Sequence, residues 1–265
     1  MFGITMAASG DEFVAPGPNS FDFSKQALFH IGDIAVTKPM VQLLLGAVIV
    51  FGFFWIAFRR PQLVPGRMQF AGESAYGMVR NSIGRDIIGS HDFIKFVPYL
   101  VTIFFFLLIN NVMASIPAIQ FPTFSRASMA YALAALSWII YNAVGIKKHG
   151  LLGYLKLQSV PSGVSPAMYP LLVPLEFFSN ILVRPVTLAL RLFANMFAGH
   201  LLMILFTTGG LFLLQYGGIG YVAGPAAWLL AIAIGFLELL VQFLQAYVFT
   251  LLNAMYISGA LADEH

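Results

Sequence analysis

The chain has 265 residues, 59% of them hydrophobic and 9% charged, with mean hydropathy +0.85 and formal net charge +3. Soluble domains carry about 25% charged residues, so a soluble fold of this composition would leave its apolar surface without polar cover. Disordered chains are poorer in apolar residues than this one. The composition describes an all-α polytopic membrane protein. Its apolar runs do not alternate and exceed the ~10-residue strands of a barrel. The absence of cysteine excludes disulfides, thiolate metal sites and cysteine nucleophiles. The small net charge, with no basic cluster among aromatics, speaks against nucleic acid as a partner. No cleavable leader and no solenoid repeat are expected.

Residues 1–38 read as a polar tail, with Asp11, Glu12 and Asp22, and residues 39–265 as a single membrane domain. The first span is expected at about 40–58, long enough at 1.5 Å per residue to cross ~30 Å of hydrocarbon. It stops at Arg59, Arg60 and Pro61. Residues 68–91 mix Phe70, Tyr76, Met78, Val79 and Ile83 with Arg80, Arg85 and Asp86, the pattern of an interfacial amphipathic helix. Further spans are expected at 96–116, 127–146, 170–206 and 226–258, five in all. The third ends at Lys147 and Lys148. The last two are separated by a turn region holding Gly209-Gly210, Gly217-Gly218 and Gly224-Pro225. The last run would make a helix of roughly 50 Å, so the final two helices are expected to be long, strongly tilted and packed as a hairpin.

Lysine and arginine set the orientation. With the amino terminus outside, the inner loops hold Arg59, Arg60, Arg67, Arg80, Arg85, Lys95, Lys147, Lys148 and Lys156. The outer segments hold only Lys25, Lys38 and Arg126. The positive-inside rule therefore places the carboxyl terminus in the cytoplasm.

Arg184 and Arg191 fall inside the fourth run. An arginine at the centre of a span costs about 2.5–3.5 kcal/mol on insertion scales and more in isolated-helix simulations. It calls for an anionic partner or a watery cavity. An internal tie to Glu176 or Glu238 is one way to meet that need. At 100° per residue Arg184, Arg191 and Asn195 share a helix face, while His200 lies ~180° from Arg191. On the last helix Glu238, Gln242 and Gln245 share a face that can meet His200. Hydrogen bonding between helices explains the two glutamines as well as a pathway does. Arginine keeps its charge and cannot relay protons. Histidine (~6.5) and glutamate (~4.3) can take and release them. A fixed positive charge beside titratable groups is what a gated proton path requires.

At these residues the sequence resembles subunit a of the F-type ATP synthase, the static proton-conducting subunit beside a rotating ring of c subunits. The likeness rests on Arg184-Pro185-Val186-Thr187-Leu188-Ala189-Leu190-Arg191-Leu192-Phe193-Ala194-Asn195-Met196-Phe197-Ala198-Gly199-His200. It continues in Glu238, in Leu244-Gln245-Ala246-Tyr247-Val248-Phe249 and in the Asp263-Glu264-His265 end. It is strong over 170–262, weaker back to about 96 through Asn110, Asn111 and Pro117, and slight over the first 40 residues. The resemblance implies that Arg191 is the essential arginine facing the c-subunit carboxylate. It implies that Asn195, His200, Glu238 and Gln245 line a half-channel from the outer side, and that Glu176 lies near the inner one. Glu176 stands one residue further from Pro185 than in many members. Ala114 stands where some members carry an acid, leaving Asn110 or Asn111 to supply polarity there.

The expected function is coupling of proton flow to ATP synthesis through two offset half-channels, with the c-ring, the subunit b stalk, the rest of the complex and membrane lipid as partners. The expected location is a bacterial inner membrane. The chain is expected to be a non-catalytic subunit with no cofactor and no metal, and it holds no GxxxxGK[ST] nucleotide motif. The rival reading is a polytopic secondary transporter with an intramembrane Arg/Glu/His site. It predicts internal inverted repeats, which the sequence lacks. A membrane enzyme would need a clustered catalytic constellation, for which five histidines and no cysteine are poor material.

Overall fold

The computed structural model describes residues 27–31, 34–89, 92–116, 123–160, 168–215 and 217–262. The acidic part of the polar tail and the Asp263-Glu264-His265 end lie outside the described residues. Among the described residues five helices are long and apolar enough to cross a membrane. A short antiparallel pair, β1 (Ala27–Ile31) and β2 (Ile34–Thr37), precedes the first helix, where the sequence suggested only tail. α1 (Lys38–Phe58) opens with Pro39 in its first turn, where a missing N–H is harmless. α2 (Arg67–Val79) runs directly into a π-helical segment, Arg80–Ile88. The apolar side of this unit is divided. Val79 and Ile83 are buried in the bundle with Phe93 and Val97, whereas Met68, Phe70 and Met78 are exposed.

α3 (Phe93–Ser115) supplies the most deeply buried wall of the core, through Leu100, Phe104 and Leu107. After a short 3-10 turn comes α4 (Ala127–Ser159). Hydropathy predicts the end of this span at residue 146, but the helix continues past Lys147 and Lys148 to a break at Gly150. Hydropathy marks where a chain leaves lipid, whereas a helix ends only where its backbone ladder is broken. Gly150 has φ 72° and ψ 165°, a region essentially confined to glycine. Beyond it the arm 151–159 places the Tyr154 ring against Gly145, where any side chain would collide with it.

The fourth run is one continuous stretch of 47 residues. It comprises α5 (Tyr169–Phe178), a π-turn (Ser179–Val183) and α6 (Arg184–Gln215). α7 (Gly220–Leu261) has 42 residues, about 63 Å at 1.5 Å each and roughly twice the hydrocarbon thickness. Of the two glycine pairs and the Gly-Pro pair expected in the turn, only Gly217-Gly218 forms it, with φ 64° and 53°. Gly209-Gly210 lies within α6 and Gly224-Pro225 within α7. Gly210 is packed beneath Trp228 and against the Gly224 carbonyl, so Gly210 and Gly224 serve close helix approach, as small residues do between membrane helices. The α6–α7 hairpin is the most extensive helix contact in the molecule.

Candidate functional site

α6 presents His200 and α7 presents Glu238 to the same buried point. His200 Nδ1 and Glu238 Oε1 are in direct contact, with both side chains 5% exposed. Helical phase alone allows this meeting, and the packing of α6 against α7 brings it about. Gly199 makes it possible, since a Cβ there would stand 3.0 Å from Glu238 Cδ and Oε1. His200 Nε2 lies 3.4 Å from the Ala114 carbonyl, and its Nδ1 lies 3.2 Å from the Met196 carbonyl. Ala114, where an acid was absent, therefore still contributes a polar atom through its backbone.

The polar cluster extends toward the end of α3. Gln242 Nε2 lies 3.5 Å from Glu238 Oε1 and donates to Ser115 Oγ at 2.8 Å. Asn111 Nδ2 donates to the Gln242 carbonyl at 3.3 Å. Asn110 instead donates to Phe106 O and faces Gly46 of α1. Ser115 was not singled out by sequence, because one serine at a helix end carries no signal without its neighbour. On the other side of Glu238, Gln245 Oε1 accepts from Asn195 Nδ2 at 2.7 Å. This bond joins two faces that the sequence reading kept apart, the Arg/Asn face of α6 and the Glu/Gln face of α7. Among the described residues Glu238 Oε2, Asn111 Oδ1 and Gln245 Nε2 are buried without a hydrogen-bond partner.

Arg191 lies one turn from Asn195 and is exposed on α6. Among the described residues no carboxylate pairs with it, so the internal ties to Glu176 or Glu238 are not made. Glu238 contacts His200, and Glu176 Oε2 accepts from Asn180 Nδ2 at 3.2 Å. Arg184 lies over the Tyr256 ring at 5.2 Å.

Glu176 belongs to a second polar group. Asn180 is presented by the π-turn and also donates to the Gln158 carbonyl at 2.6 Å. Gln158 Nε2 donates to Tyr154 Oη at 2.7 Å. The glycine break in α4 thus brings its last arm against the α5–α6 junction. A π-turn closes i→i+5 and takes in one more residue than an α-turn. The π-turn Ser179–Val183 therefore gives the path between Glu176 and Pro185 one residue more than a plain α-helix would need.

A family model described as ATP synthase A chain matches residues 40–258. ATP synthase subunit a of a Nocardioides species is 60% identical over 99% of this chain and 98% of its own length. The protein of the same name from Pseudarthrobacter chlorophenolicus is 48% identical over 98% and 97%, and that from Streptomyces lividans 40% over 97% and 90%. With a family match across most of its length and relatives this similar from end to end, the chain belongs to the ATP synthase subunit a family, as a multi-pass helical membrane protein of proton transport and ATP synthesis.

Proposed function

We propose that the chain provides two offset half-channels to a ring of c subunits, the outer one running past Asn111, Gln245, Glu238, His200 and Asn195. The observation that carries this is the buried His200–Glu238 contact, two proton-exchanging groups joined through Gln242 to Ser115 at the end of α3. A proton entering there neutralises a c-subunit carboxylate, which can then travel through lipid where the charged form is costly. After nearly a full turn the carboxyl ionises at the inner half-channel near Glu176. The exposed Arg191, which no carboxylate among the described residues engages, attracts the vacated carboxylate and, holding its own proton, blocks direct passage between the channels. Buried atoms such as Glu238 Oε2 and Gln245 Nε2, which have no hydrogen-bond partner among the described residues, suit a route through which protons and water exchange.

The chain itself performs no nucleotide chemistry in this reading. It transmits a force of about 2.3 kcal/mol per proton per 100 mV to other subunits. The setting is a bacterial inner membrane with the amino terminus outside, and the b stalk holds the chain against the turning ring. The decisive experiment is coupled ATP synthesis and proton flux in vesicles bearing the assembled complex with Arg191→Ala. Loss of synthesis with normal assembly is expected. Unchanged synthesis sinks the proposal.

A further inference from the structure

The junction of α1 and α2 shares no residue with the α6–α7 polar cluster, and its chemistry is different. Arg59, Arg60 and Arg67 line an open cavity of about 680 Å³ together with Gln62, Met68 and Gln69. All three arginines are exposed, and none forms an ion pair among the described residues. The next acid along α2, Glu73, is engaged by Gln69 Nε2 at 2.7 Å. Gln69 also donates to the Gln62 carbonyl at 3.0 Å and accepts from the Gln62 N–H at 3.0 Å. This pair of hydrogen bonds clasps the loop and holds the end of α1 beside the start of α2. The close approach of Gly72 to Ala57, where a Cβ would stand 2.6 Å from the alanine methyl, fixes the two helices behind it.

The loop between the arginines is apolar and turned outward. Leu63 and Val64 are 105% and 82% exposed, and Phe70 on the first turn of α2 is 63% exposed. Large apolar side chains beside guanidinium groups, at the end of a membrane-crossing helix, fit a boundary where hydrocarbon meets phosphate. Guanidinium groups also match phosphate oxygens geometrically as an ammonium does not.

We propose that this cavity holds the phosphate headgroup of an anionic phospholipid from the leaflet at this end of α1. Arg59, Arg60 and Arg67 ligate the phosphate, and Leu63, Val64 and Phe70 lie along the acyl chains. The assignment is independent of the proton route, and so is its test.

The complete complex is placed in phosphatidylcholine vesicles containing a trace of headgroup-photoactivatable phosphatidylglycerol, or the matched phosphatidylcholine probe, and labelled peptides are mapped. The phosphatidylglycerol probe is expected to mark residues 56–69 in preference to the zwitterionic one. Arg59→Gln/Arg60→Gln/Arg67→Gln should lower that labelling by roughly a hundredfold, since each arginine near an anionic surface contributes about fivefold. Arg67→Gln alone keeps both charges at the end of α1 and serves if the triple variant fails to assemble. It should lose about fivefold. Inorganic phosphate should not compete. Equal labelling by both probes overturns the proposal, as does unchanged labelling in Arg67→Gln. Displacement by inorganic phosphate overturns it in favour of a free-anion site, and absence of labelling because a neighbouring subunit covers the cavity overturns it outright.

Discussion

Glu238 depends on an absence of atoms at Gly199. With a Cβ 3.0 Å from its Cδ and Oε1, the carboxylate must move or α6 and α7 must part, and overpacking of this kind costs about 1–3 kcal/mol. Gly199→Ala is therefore expected to slow proton-driven ATP synthesis while the complex still assembles. Synthesis rates in membrane vesicles, beside subunit stoichiometry, check this. Glu238→Gln keeps the shape of the side chain and removes its exchangeable proton. Loss of a positioned proton-transfer group typically lowers rates by roughly 10²-fold or more, and pumping should fall by that order with assembly intact. Loss of assembly in Glu238→Gln would instead make the His200 contact a structural tie.

Among the elements, the two irregular helices shape the second polar group. The arm 151–159 reaches Asn180 only because Gly150 breaks α4 at φ 72°. A side chain in that backbone region costs about 1–3 kcal/mol. Gly150→Ala should thus loosen the arm, seen as faster proteolysis between residues 150 and 160 and a lower melting temperature of the complex. The π-turn Ser179–Val183 makes a different prediction. If it stores one additional residue, deleting the exposed Leu182 should restore a plain α-helix with Glu176 still in phase with Arg184. The deletion variant is expected to assemble and synthesise ATP, whereas inserting one alanine at the same place should not be tolerated.

Across the whole molecule, orientation is the property most open to direct test. The chain contains no cysteine, so single cysteines report position without background. A cysteine replacing Ser20 should react with an impermeant thiol reagent on intact cells, and one replacing Ala262 only after permeabilisation. The reverse pattern would invert both half-channels. The long α6–α7 hairpin bears on the same scale. The 42 residues of α7 and the 47-residue run that ends in α6 exceed a ~30 Å core at any ordinary tilt. Such a slant suits a face laid along another protein.

Much of this could be read from the residues alone, for a definite reason. Lipid cannot hydrogen-bond a backbone, so each crossing demands a long apolar helix, and the five runs near 40–58, 96–116, 127–146, 170–206 and 226–258 announce themselves. The same solvent makes Arg191, Glu238 and His200 conspicuous, and helical periodicity by itself aligns Glu238 with Gln242 and Gln245. Tertiary structure alone decided which polar groups meet. Asn195 bonds to Gln245 across fifty residues, Ser115 to Gln242 across 127, and Gln158 to Asn180 through a break at one glycine. Those contacts follow from how helices cross and where they bend. Hydropathy cannot report this, because it records each residue's preference for lipid or water and not its neighbours.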